Sequence, residues 1–300
     1  MRHTERFAPS PTGPLHLGHA FSALTAWEAA RDAGGRFLLR MEDLDESRST
    51  PGFAAQIESD LHWLGIDWDG PVLLQSSRRA AYDAALKQLS AMGLLYPCTC
   101  SRRDIRDAAG APQEGAPAGL DGVVYPGTCR PAGAVEAPVP PPQGAALRLD
   151  LRRALGMLDA PLAFTETGPI HPGEHPVVPE RLLQQAGDVV LARRDGAAAY
   201  HLAVVVDDAF QEITHVTRGA DLFMATPLHR LLQALLRLPV PVWHHHRLIR
   251  DGEGRRLAKR DDARSLETMM AEGWTPEDVR VAVGLGRGIS FDHDPFDLPD

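Results

Sequence analysis

The sequence has little lysine, little cysteine and no excess of positive charge. Among 31 basic residues in a chain of 300, the lysines are Lys87 and Lys259, and the others are arginine. Three cysteines do not suggest a disulfide framework. The net charge of −9 argues against unselective nucleic-acid binding, which needs surplus positive charge. Local arginine clusters could still contact the phosphates of one particular RNA.

Long apolar runs are also missing. No uninterrupted run approaches the ~20 residues that cross a bilayer. The first residues, 1–6, lack the apolar core of a secretory signal. A hydrophobic share of 44% is nevertheless enough for a substantial core. We therefore expect a cytoplasmic protein that does not enter a membrane, and, because nothing suggests an interface, a monomer.

A distinctive segment, RFAPSPTGPLHLGH, occupies residues 6–19. Its proline and glycine exclude helix and strand, and from Leu17 apolar residues recur at helical spacing, so His16 and His19 lie where a loop enters a helix. The N–H groups of such a helix start favour phosphate, and the histidines could donate to it. Gly18 would let a flat base approach the backbone. Two surface histidines would explain the HxGH group alone about equally well.

The periodicity of the first hundred residues predicts alternating helices and strands, as in a parallel α/β sheet. Residues 110–145 are rich in alanine, proline and glycine, which predicts a loop or linker. Further along, Asp195-Gly196 predicts a hairpin, and Val204-Val205-Val206 predicts a buried strand. A helix is expected over 221–237 and a strand over 242–249.

The cysteines form an unusual set, Cys98, Cys100 and Cys129. They could supply three thiolates to a zinc ion, which prefers four ligands. The spacing is not a common zinc-finger pattern, so zinc and free thiols remain about equally probable on these residues alone.

Two later regions could carry chemistry. Lys259 lies in a basic stretch, RRLAKR, which is a solvated loop or a clamp for a triphosphate. Three adjacent histidines, 244–246, cannot converge on one ion from a strand, so they are interpreted as structural or as lining a nucleotide pocket.

The segment over residues 6–19 resembles the adenylate-forming signature of class I aminoacyl-tRNA synthetases, in the branch for glutamate and glutamine. The stretches around Tyr200 and Arg218 and the loop with Lys259 are similar to later segments of that family. The resemblance extends from about Arg6 to Arg264. It implies an α/β fold with a Rossmann-like parallel sheet and an inserted zinc-containing α+β subdomain, without an anticodon-binding domain.

The resemblance also implies a division of the chain. Residues 1–95 and 186–264 would form the two halves of the catalytic domain. Residues 96–185 would form the inserted subdomain, and 265–300 a short helical tail that is too small to read an anticodon.

Roles for individual residues follow from the resemblance. His16, His19 and Lys259 would be catalytic and, with Gly18, would bind ATP. L-Glutamate would be held by Arg6, Phe7, Ala8, Pro9, Ser10, Glu42, Tyr200 and Arg218. These types suit the ligand, because an arginine fork pairs with a carboxylate and Glu42 can pair with an ammonium. One structural zinc ion would be bound by Cys98, Cys100, Tyr125 and Cys129, although the gap between Cys100 and Tyr125 is long for the family.

The implied activity is activation of L-glutamate by ATP, with Mg²⁺ on its phosphates, to glutamyl-adenylate without tRNA. A short branch of the family then transfers the glutamate to the queuosine base at the wobble position of tRNA(Asp). The alternatives are a truncated glutamyl-tRNA synthetase-like enzyme that charges another acceptor, an HxGH nucleotidyltransferase with another substrate, and a tRNA-binding module without activity.

Overall fold

The computed structural model describes residues 2–109, 118–120, 122–249 and 264–286. Its strands are β1 (Thr4–Phe7), β2 (Arg36–Met41), β3 (Leu73–Leu74), β4 (Leu95–Cys98), β5 (Ala118–Gly119), β6 (Gly122–Val123), β7 (Ala146–Leu149), β8 (Ala163–Glu166), β9 (Gly173–Pro176), β10 (Val190–Ala192), β11 (His215–Gly219) and β12 (Val242–His246). Its α-helices are α1 (Leu17–Asp32), α2 (Pro51–Trp63), α3 (Arg79–Ala91), α4 (Arg102–Ala108), α5 (Leu151–Gly156), α6 (Pro179–Gln185), α7 (Tyr200–Phe210), α8 (Thr226–Leu236), α9 (Leu266–Ala271) and α10 (Pro276–Ala282).

Parallel strands form the centre of the molecule. One sheet has the order β1-β2-β3, and another has the order β11-β12-β8-β9, in which β9 is antiparallel. The two sheets meet where the N–H of Thr214, just before β11, donates to the carbonyl of Thr4 in β1 at 3.0 Å. The carboxyl ends of β1, β2, β11 and β12 therefore lie close together, which is where α/β sheets bind ligands. The predicted parallel α/β class is confirmed.

A second, antiparallel sheet has the order β10-β7-β4. Both β4 and β7 lie in or beside the range 96–185, for which an inserted subdomain is predicted. The same range also contributes β8, which pairs with β12 in the main sheet. The small β5-β6 pair lies within the region predicted as loop.

Local sequence signals account for the first helices. Thr50 caps α2 by accepting a hydrogen bond from the Phe53 N–H at 3.2 Å, and Pro51 occupies the first turn. Gly34 and Gly65 follow α1 and α2 with positive φ angles of 59° and 77°. Such angles suit glycine because it has no Cβ. The sequence predicts a helix from about His16 to Gly34-Gly35 and another from Thr50-Pro51 to Gly65, and the structure agrees with both.

The predicted strand at Val204-Val205-Val206 is wrong, because these residues belong to helix α7. The hairpin turn at Asp195-Gly196 does form, but pairing stops after one bridge between Ala192 and Ala198. The β-branched run fits a helix here because its surroundings bury it, and burial outweighs a weak intrinsic preference. The strand predicted over 242–249 also ends early, at His246.

Two hydrophobic clusters fix the sheets. One joins α3, α7 and α8 to the antiparallel sheet and includes Leu147, Leu202, Leu231 and Trp243. The other packs α1 and α2 against β1 and β2. Within the described ranges, no helix is both long and apolar enough to cross a membrane.

In the turn from α1 into β2, Gly35 lies too close to the backbone just before β1 for a side chain. A Cβ there would lie 2.4 Å from the carbonyl oxygen of His3, whose bond with the Arg36 N–H joins β1 to β2. We expect Gly35→Ala to lower the free energy of unfolding by roughly 1–3 kcal/mol, because backbone must shift. Gly156→Ala, at an exposed helix position with no atom near its Cβ, is the matched control and should be neutral or slightly stabilising. Equal urea midpoints for the two variants would contradict this account.

Candidate active site

His16 and His19 form the N-terminal cap of α1. The Nδ1 atom of His16 accepts from the Gly18 N–H at 3.1 Å, and Nδ1 of His19 accepts from the His16 N–H at 3.2 Å. Their ring centroids are 3.8 Å apart. Because each Nδ1 is an acceptor, the proton of each neutral ring is on Nε2. The caps therefore make both histidines Nε2–H donors at the start of a helix.

Gly18 packs closely against this cap. A Cβ at this position would lie 3.0 Å from Cε1 and 3.1 Å from Nδ1 of His16. The His16 ring would have to shift by a few tenths of an ångström to admit a side chain. The sequence interpretation, in which Gly18 makes room for a base, misses this contact.

The segment between β1 and α1 is held beside the end of β2. The carbonyl of Pro9 accepts from the Glu42 N–H at 2.9 Å, and Ser10 is exposed. The side chain of Phe7 belongs to the core beneath, so this residue can offer only its backbone to a ligand. Ala8 is half-buried between Phe7 and Pro9.

Arg6, at the end of β1, takes part in a buried ion-pair group. Its Nε donates to Asp208 at 3.0 Å and its Nη1 to the carbonyl of Thr217 at 3.2 Å. Arg40 of β2 donates to the same Asp208 oxygen at 2.8 Å. Burial raises the pKa of Asp208, but the two guanidinium charges and their hydrogen bonds outweigh burial and lower it. Asp208 is therefore a carboxylate.

Glu42 follows β2 and adds a second acid to this group. Arg40 lies 3.8 Å away as its ion-pair partner. Burial is the largest influence, and it raises the pKa of Glu42 to about 7 against the charges of Arg40 and Arg6. Glu42 can consequently gain or lose a proton near neutral pH.

Arg218 and Tyr200 complete the group. Arg218 is the next-to-last residue of β11 and lies beside His245 of β12, its partner in register, and Tyr200 begins α7. Burial lowers the pKa of Arg218, and the nearby Tyr200 side chain acts against that shift. Burial raises the pKa of Tyr200, and the charges of Arg218, Glu42 and Arg6 also act on it. The structure thus brings Arg6, Glu42, Tyr200 and Arg218 to one buried place.

Histidines surround Arg218. Its Nε donates to Nε2 of His245 at 2.9 Å, and its Nη1 donates to Nδ1 of His229 at 3.1 Å. His245 also contacts the Glu166 carboxylate through Nδ1. Burial lowers the pKa of His245 to about 4 despite Glu166, and burial with the Arg218 charge places the pKa of His229 well below its ordinary value. Both rings are therefore neutral at physiological pH.

The sequence analysis misses His229, Asp208 and Arg40. No motif marks them, and their contacts arise only when α7 and α8 pack beside the strands. His245 falls in the histidine run at 244–246, where its structural interpretation agrees with its contacts to Glu166 and Arg218.

The cysteines also converge, as a candidate metal centre. The sulfur atoms of Cys98, Cys100 and Cys129 lie within 4.8 Å of one another. The Tyr125 hydroxyl is 3.4 Å from the sulfur of Cys98 and 3.7 Å from that of Cys100, and it accepts from the Cys129 N–H at 2.7 Å. The residues Cys98, Cys100 and Cys129 could hold a metal ion.

Arg148 lies beside the cysteine cluster and favours the thiolate form of Cys98. The Arg148 guanidinium lies 3.8 Å over the Tyr125 ring. Burial raises the pKa of the Cys98 thiol, but hydrogen bonds from Tyr125 and Arg148 outweigh it and lower that pKa to about 7. A cysteine that binds a metal does so as a thiolate, and this environment favours the thiolate at Cys98. Burial and the neighbouring thiols of Cys129 and Cys98 raise the pKa of Cys100 to about 11.

Lys259 lies outside the described residues. The described chain on either side approaches α1. Ile249 packs with Phe21 of α1, and Ser265 forms an antiparallel bridge with His16. The N–H of Leu266 donates to the carbonyl of Leu15 at 2.9 Å.

Known proteins similar to this chain agree with the fold and the site. The family model "tRNA synthetases class I (E and Q), catalytic domain" matches residues 3–118 and 178–292. A glutamyl-Q tRNA(Asp) synthetase of Rhodobacter capsulatus is 58% identical over 93% of this chain and 99% of its own length. Another, of Nocardia farcinica, is 43% identical over 98% of this chain and 90% of its own length.

Solved structures show the same architecture. A glutamate tRNA ligase of Elizabethkingia meningosepticum, in complex with its amino acid, has a TM-score of 0.71 and 27% identity. The match covers 92% of this chain but only 59% of that longer one. A methionyl-tRNA synthetase of Mycobacterium tuberculosis, with a TM-score of 0.62 and 12% identity, shares the fold. The chain belongs to the class I tRNA synthetase family for glutamate and glutamine, among relatives named glutamyl-Q tRNA(Asp) synthetase, and is an enzyme of this ligase type.

Proposed function

We propose that this enzyme activates L-glutamate with ATP to glutamyl-adenylate without tRNA, and then transfers the glutamate to queuosine at the wobble position of tRNA(Asp). The observation that carries the proposal is the convergence of Arg6, Glu42, Tyr200 and Arg218 at the carboxyl ends of parallel strands. The names of the relatives support the acceptor.

The charges of the pocket suit glutamate. The buried guanidinium groups of Arg6, Arg40 and Arg218 outnumber the carboxylates of Asp208 and Glu42. The nearby Asp207 carboxylate is itself paired with Arg78, so an anionic ligand is favoured. Glu42 as a carboxylate would pair with the α-ammonium. Arg218 and Tyr200 would meet the side-chain carboxylate. Arg6 and the backbone of Ala8, Pro9 and Ser10 would hold the remaining part of the amino acid.

ATP would bind at the start of α1. The Nε2–H groups of His16 and His19, with the helix N-terminus, would stabilise negative charge on the phosphates, which carry Mg²⁺. Gly18 leaves room for the His16 ring in the cap. An α-carboxylate oxygen of glutamate attacks the α-phosphorus, the bond to the β-phosphate oxygen breaks, and pyrophosphate leaves. Lys259 is proposed as the cation that contacts the departing pyrophosphate.

The cysteine centre fits a structural zinc ion with Tyr125 as the fourth ligand. Zinc–sulfur bonds of ~2.3 Å in a tetrahedron separate the sulfurs by about 3.8 Å. The sulfurs of Cys100 and Cys129 are 3.4 Å apart, and Tyr125 is at comparable distances from Cys98 and Cys100. Small shifts would place all four around one ion.

The zinc ion would stabilise residues 96–185 as the proposed inserted subdomain. This subdomain would lie between residues 1–95 and 186–264, the two halves of the catalytic domain, and residues 265–300 would form a helical tail. We further propose a cytoplasmic monomer.

The decisive experiment separates activation from transfer. ATP–pyrophosphate exchange should depend on glutamate and proceed without tRNA. Labelled glutamate should then be transferred to tRNA(Asp) that contains queuosine and not to the same tRNA without it. Charging of tRNA(Glu) irrespective of queuosine would refute the proposed acceptor. If no amino acid supported ATP–pyrophosphate exchange, activation itself would be refuted.

Glutamate affinity should depend on pH through Glu42. Its pKa is raised to about 7 in the ligand-free protein, so at lower pH it is neutral and pairs poorly with an ammonium. The dissociation constant for glutamate should therefore fall by up to about tenfold per pH unit from about pH 6 to 7, and level off above about pH 8. Calorimetry across this range measures the effect. Glu42→Gln, the matched control, should bind more weakly with little dependence on pH; the same pH profile in this variant would exclude Glu42 as the titrating group.

Zinc content should distinguish the four proposed ligands. We expect one zinc ion per chain in the purified protein, measured by atomic emission. Cys129→Ser should lose most of it, because a neutral hydroxyl replaces a thiolate. Tyr125→Phe should retain zinc through three thiolates, but a chelator too weak to remove zinc from the wild-type protein should remove it from this variant. Full zinc occupancy in Cys129→Ser would contradict the assignment.

A further inference from the structure

The guanidinium of Arg218 is held on nearly every side. An arginine has five N–H donors. Nε is bonded to His245, and Nη1 to His229. Nη2 donates to the carbonyl of Leu222 at 3.2 Å and to the hydroxyl of Thr226 at 2.9 Å. Among the contacts of the described residues, these four bonds leave the second N–H of Nη1 for a ligand. The two-pronged pairing expected from the sequence would require breaking one of these bonds.

The donors of Arg218 determine where the histidine protons are. Arginine cannot accept, so Nε2 of His245 and Nδ1 of His229 must. His245 therefore carries its proton on Nδ1, facing Glu166. His229 carries its proton on Nε2 and donates it to Nδ1 of His201 at 3.0 Å. These assignments give every hydrogen bond in the chain Glu166–His245–Arg218–His229–His201 one donor and one acceptor.

Neutral acceptors distinguish Arg218 from the other two arginines. Arg6 and Arg40 share the Asp208 carboxylate, at 3.0 and 2.8 Å, which offsets part of their charge. Among the described residues, the side chains bonded to Arg218 are two imidazoles and the Thr226 hydroxyl, and no carboxylate lies within ion-pair distance of it. Asp208 acts on the charge of Arg218 only from a greater distance. The orientation of Arg218 is thus fixed without a direct ionic partner in a buried place, where such a partner is most strongly attracted.

We propose that His229 and His245 are positioning residues, which hold Arg218 through neutral acceptors so that its charge is reserved for the side-chain carboxylate of the substrate. This inference rests on the proposed glutamate pocket and extends it. The substrate carboxylate would meet the remaining N–H of Nη1 and the nearby Tyr200 hydroxyl, which can donate a hydrogen bond to it. An uncharged amide in place of that carboxylate would leave the arginine charge without a partner, which disfavours glutamine.

The test compares His229→Asn with His229→Asp. These side chains have the same shape, and each places an oxygen acceptor near the position of Nδ1, but only aspartate adds charge. If His229 only stabilised the fold, the two variants should have the same KM for glutamate. The proposal expects the KM for glutamate in His229→Asp to exceed that in His229→Asn by at least about tenfold, as for the loss of a charged hydrogen bond. The KM for ATP should be equal in the two, and the preference for glutamate over glutamine should fall in His229→Asp.

The thermal midpoint serves as the folding control, and His229→Asp should be at least as stable as His229→Asn because it forms an ion pair with Arg218. Equal glutamate KM values in two folded variants would overturn the inference while leaving glutamate activation intact. Nitrogen-15 NMR of the wild-type imidazoles gives a readout that needs no activity. It should show neutral rings protonated at Nε2 in His229 and at Nδ1 in His245. Another protonation pattern would overturn the positioning role, whereas failure of glutamate-dependent exchange in the wild type would refute the proposed function instead.

Discussion

The buried carboxylate of Asp208 joins the elements on which the candidate site depends. It accepts from Arg6 of β1 and from Arg40 of β2, while its own backbone belongs to α7. Removal of one partner from such a buried group costs roughly 3–5 kcal/mol, because a charge remains without compensation. Its neighbour Asp207 accepts from Gln75 and Tyr82 at 2.9 and 2.6 Å and pairs with Arg78 at 3.2 Å. The helix that begins with Tyr200 is therefore held by ion pairs at two consecutive residues.

The site uses two ways of holding a buried arginine. A carboxylate, as at Arg6 and Arg40, supplies the strongest pairing but consumes charge. Imidazoles and hydroxyls, as at Arg218, satisfy the N–H groups and leave the charge in place. Because the low dielectric of a buried pocket strengthens the attraction of a charge without an ionic partner, Arg218 is the arginine that we propose for the side-chain carboxylate of the substrate.

Short segments of sequence were informative where local physics decides the structure. The turn chemistry of Thr50, Pro51 and the glycines after each helix correctly placed α1 and α2. The HxGH segment was placed correctly at a helix start, but its caps, in which each histidine binds a backbone N–H, were not anticipated. The run Val204-Val205-Val206 was misassigned to a strand, because its helix is stabilised by burial among residues far away in the chain.

The sequence by itself determined the family, through the residues 6–19 and their resemblance, and it supplied the side chains that converge on the two candidate centres. The tertiary structure alone decided the partners of those side chains. Asp208, His229 and Arg40 carry no local signal, since their role depends on contacts between residues separated by long stretches of chain. Hydrogen-bond directions and shifted pKa values follow from burial and neighbouring charge, and both exist only once helices and strands have packed together.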